Sequence, residues 1–468
     1  MQDDRSGAPR ATASTRLSAR ERYGFAVGDF GLNLYWQGLG LFLIFFYTDV
    51  LGIPASAAGL SYFVATLWDC VTDPVMGVLA DRTRTRWGRY RPFLLFGSMP
   101  LAMVFALAFS GPALSTSGLV AWTLVTHLLV RTLYTAVAIP YSALSASITR
   151  DSDERVGLTG LRMQFAFLGG FAVAYLIPAL AEVLGAGDPR RGYSLAAAVT
   201  GALASVAFAL CFASVREPGY ARPPQASSSG FIAEARAFLA NARRNAPLLC
   251  LLAGKFLVTL TLTMHTRNLI YFFKYVLRAE HPIRYAIPLL GVASMLSVPL
   301  WVWLIRRSSK RGGWQIGSLL TFASALALYL PQQLPLLPAV ALLALIAMGN
   351  TAYGVCFWAM LPDTVEYHQW RFGRRDEAKV FGLAAFIEKF AMGLSALATG
   401  TMLDASGFVA NQVQQPPALQ AIRAAMGLLP AIGAALSMLA LWGYTLDGAR
   451  HRQIVSEIDA LTGDRGTD

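Results

Sequence analysis

The sequence has few charged residues and few cysteines. Only 14% of its 468 residues are Asp, Glu, Lys or Arg, against about 25% in an average soluble domain, while 55% are hydrophobic. A soluble fold could not bury that much apolar surface. The four cysteines, Cys70, Cys211, Cys250 and Cys356, lie within or beside apolar stretches, with neither metal-ligand spacing nor an exposed pair for a disulfide. We therefore interpret them as small core residues.

The chain also lacks the local motifs of ATP-driven pumps and serine hydrolases. It contains no Walker A pattern and no Gly-x-Ser-x-Gly turn, which these activities use. His127 and His265 lie in apolar stretches with no second His or Cys at ligand spacing. The first 22 residues are polar and Arg-rich, unlike a secretory signal peptide. We therefore expect no enzymatic activity and no metal centre.

Apolar runs of about 20 residues recur along the whole chain. Each run is long enough to cross a hydrocarbon core of ~30 Å at about 1.5 Å per residue. The sequence therefore predicts an all-α membrane protein of about twelve transmembrane helices. They are expected near residues 24–49, 57–80, 92–112, 117–145, 161–185, 193–214, 247–277, 285–306, 314–334, 337–362, 379–403 and 421–446.

The net charge of +12 comes from basic residues in short loops between the predicted helices. Such clusters are typical of membrane topology signals rather than of a nucleic-acid surface. The Arg-rich loops near 82–91, 306–311 and 371–379 are therefore expected at the cytoplasmic face, whereas residues 52–59 and 110–118 contain no Lys or Arg. Both termini are expected in the cytoplasm, and the chain in a bacterial-type inner membrane.

The longest polar interruption divides the predicted helices into two sets of six. The expected units are an N-terminal tail (1–22), a first bundle (23–214), a linker (215–246), a second bundle (247–446) and a C-terminal tail (447–468). Apolar residues in the linker recur at helical spacing, which predicts an amphipathic helix on the membrane surface. Two such bundles are typical of transporters in which one half rocks against the other around a midplane site.

Two acidic residues of the second predicted helix are the strongest site candidates. A charge near the centre of a membrane helix costs about 2.5–3.5 kcal/mol or more. Asp69 and Asp73 are four residues apart and share one helix face, where they would repel unless a cation or a proton lay between them. Thr72 adds a hydroxyl oxygen, a ligand type that hard cations prefer. The group is a candidate coupling-ion site; the alternative is that one Asp pairs with a structural Arg or Lys.

Other membrane-embedded charges and rings are candidates for binding a solute. Asp29 in the first helix could accept hydroxyl hydrogen bonds, and Lys389 in the eleventh could neutralise the acids. The alternative for both is a structural ion pair or an end group that reaches the membrane surface, and Glu388 is open to either reading. Aromatic rings that could stack on a sugar or fill the core are Trp36, Tyr134, Tyr141, Tyr353 and Trp358.

Seven short motifs resemble one transporter family. They are Tyr23-Gly24-Phe25, Tyr47-Thr48-Asp49, Trp68 to Pro74, Arg86-Trp87-Gly88-Arg89, Ile139-Pro140-Tyr141, Asp153-Glu154-Arg155 and Asp363-Thr364-Val365-Glu366-Tyr367. Together they resemble the glycoside-pentoside-hexuronide:cation symporter family of the major facilitator superfamily, to which the melibiose carrier belongs. The resemblance implies the major facilitator fold and symport of a sugar or glycoside with H⁺ or Na⁺, with no other cofactor. The implied partners are this solute, the coupling cation and the lipid bilayer, with no nucleic acid and a monomeric carrier.

The resemblance also assigns residues by position. The family's cation site falls on Asp69, Thr72, Asp73 and Thr135, and its sugar site on Asp29, Tyr134, Arg162, Lys389 and, less closely, Trp358. A loop signature of the superfamily implies conformational gating by Gly77, Asp81, Arg82, Arg86 and Arg89, in which Gly77 allows close helix approach and the charges pair and separate. Galactoside carriers differ at Thr66 and Ala138, which leaves the sugar open. The family commonly has Asn where this chain has Thr72, which leaves the choice between H⁺ and Na⁺ open.

Two other functions remain possible from the sequence. A transporter of the same fold could move a lysolipid or another amphiphile, which would need a cavity with a lateral apolar opening. A membrane sensor that does not transport would need a signalling domain, and the linker and the C-terminal tail are too short for one.

Overall fold

The computed structural model describes residues 17–148, 152–217, 238, 240–279, 282–331, 334–373, 376–446 and 448–463. Within these ranges the regular elements are helices, with no β-strand. The helices are α1 (Ala19–Phe45), α2 (Ala55–Arg82), α3 (Arg91–Ala108), α4 (Thr116–Ile148), α5 (Ser152–Gly185), α6 (Pro189–Ser214), α7 (Ala246–Tyr271), α8 (Ile283–Arg307), α9 (Lys310–Tyr329), α10 (Leu336–Phe372), α11 (Glu377–Ala405), α12 (Pro416–Arg423, continued by Leu429–Ala440) and α13 (Gly448–Gly463).

Three membrane helices contain wider turns. A five-residue π-helical turn, Phe46–Val50, follows α1 directly, and a second one, Phe272–Val276, follows α7. A third, Ala424–Leu428, joins the two parts of α12. Such turns shift the side-chain register and are frequent at functional positions.

The predicted all-α membrane architecture and the order of its helices are confirmed. Eleven helices of the described residues are long and apolar enough to cross a membrane, and α9, of 20 residues, lies where the remaining span is expected. Helix ends were less well predicted: α10 continues to Phe372 instead of 362. The hydropathy signal ends at the first charged residues, whereas the backbone hydrogen bonds of a helix can continue into water.

Helices α1 to α12 of the described residues form two bundles of six, the arrangement that the sequence resemblance implies. In the first bundle α1 packs on α5 and α6, and α2 and α3 pack on α4; in the second, α7 packs on α11 and α12, and α8 and α9 pack on α10. The bundles meet mainly along two helix pairs, α2 with α11 and α5 with α8, and α1 also contacts α7. The central site lies beside the first of these pairs.

Polar contacts join the bundles at one end, which we call the Arg-poor end and define by loops 51–54 and 406–415. Asp404 of α11 accepts hydrogen bonds from the backbone N–H groups of Ala55 (2.9 Å) and Ser56 (2.8 Å) at the start of α2. Lys274 donates to Asp49 at 2.8 Å across the same interface. These bonds connect residues more than 200 positions apart, so they fasten one bundle to the other.

Two glycines bring α2 and α11 close together near the same end. A Cβ atom at Gly400 would overlap the carbonyl oxygen of Ala55, and one at Gly59 would overlap the carbonyl oxygen of Ala396. The helices can therefore cross this closely only because both positions lack side chains. In this structure the bundles are closed at the Arg-poor end.

The predicted gating group lies at the opposite, Arg-rich end, defined by loop 83–90. Gly77 is not a close-packing position here, because an added Cβ would have its nearest neighbour, the Ile139 side chain, 4.0 Å away. Arg82 is exposed, the Arg86 guanidinium lies 4.2 Å from the ring centre of Trp87, and the backbone of Arg89 donates to Glu217 at 2.7 Å. The side chain of Asp81 lies outside the described part of the chain.

The C-terminal helix α13 packs on the Arg-rich end of α10. The Trp370 indole donates to Glu457 at 2.6 Å, and His451 of α13 contacts Glu366. Asp363, Glu366 and His451 lie within 4.8 Å of one another, but Lys310 already binds both carboxylate oxygens of Asp363 at 2.8 and 2.7 Å. This cluster therefore acts as an ion-pair network that ties α13 to α10.

The remaining sequence predictions concern the linker, the cysteines and the histidines. The predicted linker helix lies mostly outside the described residues; Phe238, which is described, is buried. All four cysteines are free thiols. His127 and His265 are buried, and His265 bonds the carbonyl of Met426 at 2.8 Å, so packing accounts for both.

Candidate central binding site

A cavity of about 350 Å³ lies between α1, α2, α4 and α11. It is lined by Asn33, Trp36, Asp73, Tyr134, Thr135, Ala138, Ile139 and Lys389. A larger cavity of about 670 Å³ lies between α10 and the C-terminal segment, lined by residues such as Tyr367 and Arg450. We take the smaller cavity as the candidate site because it contains charged groups at membrane depth and touches both bundles.

The centre of the site is a carboxylate held from both bundles. Thr135 of α4 donates its hydroxyl to Asp73 Oδ1 at 2.8 Å, and Lys389 of α11 binds Asp73 Oδ2. The side chains of Lys389 and Asp73 are 23% and 25% exposed. Lys389 therefore faces an acid of the second helix, as the sequence analysis expected, and forms an ion pair between the bundles.

The second acid, Asp69, has a different environment. Arg131 of α4 donates to Asp69 Oδ2 at 3.0 Å, and both side chains are 2% exposed. The Arg131 Nε also donates to His127 at 3.3 Å, and its guanidinium lies 5.3 Å from the ring centre of Trp36. Asp69 is therefore a member of a buried ion pair, which is the alternative that the sequence left open.

Thr72 does not face the acids in this structure. Its hydroxyl donates to the carbonyl of Trp68 one turn earlier, at 3.1 Å, an arrangement that Thr often adopts within helices. Asp69, Thr72, Asp73 and Thr135 thus fall into two groups. Asp73 and Thr135 bond each other at the cavity, whereas Asp69 is held away by Arg131 and Thr72 bonds its own backbone.

Asp29 and Arg162 of the predicted sugar site contact each other. Arg162 donates to both carboxylate oxygens of Asp29, and the hydroxyl of Tyr141 donates to Asp29 Oδ2 at 2.7 Å. Asp29 is 8% exposed. Neither residue lines the central cavity as it stands; the Tyr134 ring does, and its centre lies 5.8 Å from that of Trp36.

Two candidates of the second bundle lie apart from the cavity wall. The Trp358 side chain is exposed and stacks on Phe381 with 6.2 Å between ring centres. Glu388 pairs with Lys255 of α7 at 2.8 Å, within the second bundle. The position assigned to Trp358 therefore stays a prediction, and Glu388 forms a structural ion pair.

Arg131 and Asn33 are site residues that sequence reasoning did not select. Arg131 is a full charge inside the apolar run 117–145, and its cost at that depth was the available signal. Asn33 lines the cavity while its amide donates to the carbonyl of Asp29 at 2.9 Å. Its spacing of four residues from Asp29 indicated the shared face.

Comparison with known proteins identifies transporters along nearly the whole chain. Residues 24–448 match the family described as MFS/sugar transport protein. The isoprimeverose transporter of Lactiplantibacillus pentosus is 32% identical over 432 residues, covering 91% of this chain and 88% of that protein. The symporter YnaJ of Bacillus subtilis is 31% identical and covers 95% of both chains. A glucuronide carrier protein homolog of Escherichia coli is 29% identical over 95% of this chain and 96% of that protein.

Solved structures agree on the fold. The xylose transporter XylE of E. coli, in an inward-open conformation, superposes with a TM-score of 0.64 at 12% identity over 92% of this chain and 98% of that one. A bacterial homolog of the lysosomal transporter Spinster gives a TM-score of 0.69 at 16% identity over 94% and 98%. At these identities the likeness concerns the helix arrangement alone.

Proposed function

This chain belongs to the MFS/sugar transport protein family, and on that premise we propose how its central cavity moves a solute. The chain is a multi-pass membrane protein and a secondary active transporter that couples a cation to a sugar or glycoside. We propose that the solute binds between the bundles at Asp73 and Lys389. The observation that supports this assignment is the ion pair between these residues, which joins the bundles at the wall of the cavity.

The cavity suits a small polyhydroxylated solute. Its volume of about 350 Å³ lies near the lower end of the ~300–1,000 Å³ typical of small-molecule sites. Asn33 and Lys389 offer N–H donors to hydroxyl oxygens, the Thr135 oxygen can accept from a hydroxyl, and the rings of Trp36 and Tyr134 offer flat apolar faces for a sugar ring. A charged pair in the cavity wall favours such a solute over an acyl chain, because the chain would leave the charges without partners.

The contacts between the bundles indicate how one bundle can move relative to the other. In this structure they are closed at the Arg-poor end and meet at Asp73 and Lys389. We propose that the Arg-rich end and both termini face the cytoplasm of an inner membrane, which makes this conformation inward-facing. Rocking about the site would then expose it to the opposite side.

Lys389 can couple binding of the cation to binding of the sugar. In the ion-free carrier it neutralises Asp73. When the coupling cation, H⁺ or Na⁺, reaches Asp73, it takes over that role and releases Lys389 to donate to sugar hydroxyls. The cation thus favours binding of the sugar, and we propose that Asp29 and Arg162 join the sugar site when the bundles close around it. One chain contains the complete site, so we propose a monomeric carrier that needs no cofactor and catalyses no reaction.

Counterflow in proteoliposomes tests this function. Vesicles loaded with isoprimeverose or methyl β-glucuronide should exchange the labelled sugar, and a cation gradient should drive accumulation. Lys389→Met should lose accumulation, whereas Lys255→Met, which removes a partly buried cation from a pair within one bundle, should retain it. Absence of exchange with both sugars, or full accumulation by Lys389→Met, would contradict the proposal.

A further inference from the structure

The geometry of the four residues assigned to the cation site can be compared with the coordination that Na⁺ requires. Na⁺ is a hard cation that binds several oxygen atoms at once. Here Asp69 Oδ2 is held by Arg131, the Thr72 hydroxyl bonds its own helix, and the Asp73 oxygens are held by Thr135 and Lys389. The four positions therefore do not converge on one point, and they do not fit a Na⁺ ion.

The balance of charges at these residues also argues against a bound Na⁺ ion. Asp69 and Asp73 carry two negative charges, and Arg131 and Lys389 carry two positive charges, so the group is neutral without any ion. Lys389 lines the cavity, which leaves open space beside its side chain. Arg131 is fully buried, packs against Trp36 and Tyr62, and keeps its charge at any physiological pH because the guanidinium does not deprotonate in proteins.

We propose that Arg131 is a built-in cation that occupies the position Na⁺ would take at Asp69, so that this carrier neither binds Na⁺ nor uses a Na⁺ gradient. The inference rests on the proposed function of the site and deepens it, because it makes Arg131 the residue that determines ion selectivity. The guanidinium supplies permanently the positive charge that a bound metal ion would supply transiently. A Na⁺ ion arriving at Asp69 would meet a like charge in a desolvated position.

Of the two cations considered for coupling, H⁺ then remains, since a proton needs one oxygen rather than a coordination shell. The acceptor available at the cavity is Asp73. It is faced by Lys389 from α11, by Thr135 and Tyr134 from α4, by Asn33 and Trp36 from α1, and by Asp69 and Cys70 from its own helix.

Binding of radioactive ²²Na⁺ to the purified carrier tests the inference without knowledge of the sugar. The unmodified protein should show no saturable ²²Na⁺ binding, with choline as the ionic control. In proteoliposomes that show sugar exchange, a pH gradient should drive accumulation and a Na⁺ gradient should not. Saturable ²²Na⁺ binding, or accumulation driven by Na⁺ alone, would overturn the inference. Absence of any sugar exchange would contradict the proposed function instead, and the ²²Na⁺ result would still decide this point.

The variant Arg131→Ala tests whether Arg131 determines the ion selectivity. It frees the Asp69 carboxylate, so saturable ²²Na⁺ binding should appear in the folded variant. Lys255→Ala is the matched control, because it frees Glu388 away from Asp73 and should bind no Na⁺. A folded Arg131→Ala protein that binds no Na⁺ would show that Arg131 is not the selectivity residue. If Arg131→Ala does not fold, Arg131→Gln, which keeps a donor for Asp69 and removes the charge, replaces it under the same criteria.

Discussion

The ion pair between Lys389 and Asp73 should control how often the carrier adopts the conformation seen here. It joins α11 to α2 in this conformation. Replacing Lys389 by Met keeps a side chain of similar length and removes the charge. We expect the variant to populate this conformation less, because a contact that holds the bundles together is lost.

The size of the effect follows from the geometry. A hydrogen bond to a charged group contributes about 1.5–3 kcal/mol. Both side chains are roughly a quarter exposed, and solvent screening reduces the value of such pairs, so we take the lower end, about 1.5 kcal/mol. Because about 1.4 kcal/mol corresponds to a factor of ten, the ratio of the two conformations should change about tenfold.

Distances between spin labels at the Arg-poor end can report this ratio. Ser117 at the start of α4 and Leu337 at the start of α10 are exposed and belong to different bundles. Cysteines placed there, in a background without the native ones, would carry the labels for pulsed electron resonance. The distance distribution should gain a longer component when the bundles separate at this end.

A double-mutant cycle removes the ambiguity of a single substitution. Asp73→Asn, Lys389→Met and the double variant should give a coupling energy of about 1–2 kcal/mol. Lys255→Met should leave the distances unchanged, since its partner lies in the same bundle. A change of less than about twofold in both single variants, with no coupling, would refute the reasoning that this pair holds the bundles together.

Three further outcomes are expected. Asp29→Ala should weaken sugar binding by more than ~1.5 kcal/mol, measured as the sugar dissociation constant by calorimetry, and an unchanged constant would make Asp29 purely structural. Gly400→Ala should abolish most transport because its Cβ overlaps the α2 backbone, whereas Gly382→Ala, which meets no atom within 4 Å, should transport normally; equal rates would contradict the close-crossing argument. Hydrogen bonds from Trp370 and Gln453 lower the pKa of Glu457 from its usual value of 4.5. Above pH 4.5 the Glu457 carboxylate therefore stabilises the packing of α13 on α10, and this stabilisation is lost as the pH falls through the lowered pKa. Hydrogen exchange of α13 should become faster over that pH range in the unmodified chain, and it should already be faster at neutral pH in Trp370→Phe.

The sequence predicted the architecture well because membrane helices have a strong and simple signal. The length and spacing of apolar runs determine how many helices cross the bilayer. Lys389 was also predicted to face an acid, since a charge at that depth needs a partner. Both predictions depend on the free-energy cost of placing polar or charged groups in the hydrocarbon core, which is large for any arrangement of the helices.

The partners within the site could not be predicted in the same way. The spacing of Asp69 and Asp73 shows that they share a face of α2, but it does not show that Arg131, 62 residues later, faces only the first of them. The orientation of Thr72 depends on a choice between two rotamers of similar energy. The prediction that Gly77 allows two helices to approach closely was wrong for a related reason. A glycine permits close approach, but the position of the neighbouring helix decides whether it occurs.

Two of the three π-helical turns occupy equivalent positions in the two bundles. Phe46–Val50 ends the first helix of one bundle and Phe272–Val276 ends the first helix of the other, at the same end of the molecule. Both begin with Phe, end with Val and have the same length, so the same backbone irregularity occurs twice. The side chains differ: one turn supplies Asp49 and the other Lys274, and these two bind each other. The repeated backbone feature thus places an acid on one bundle opposite a base on the other, and their attraction joins the bundles at this end.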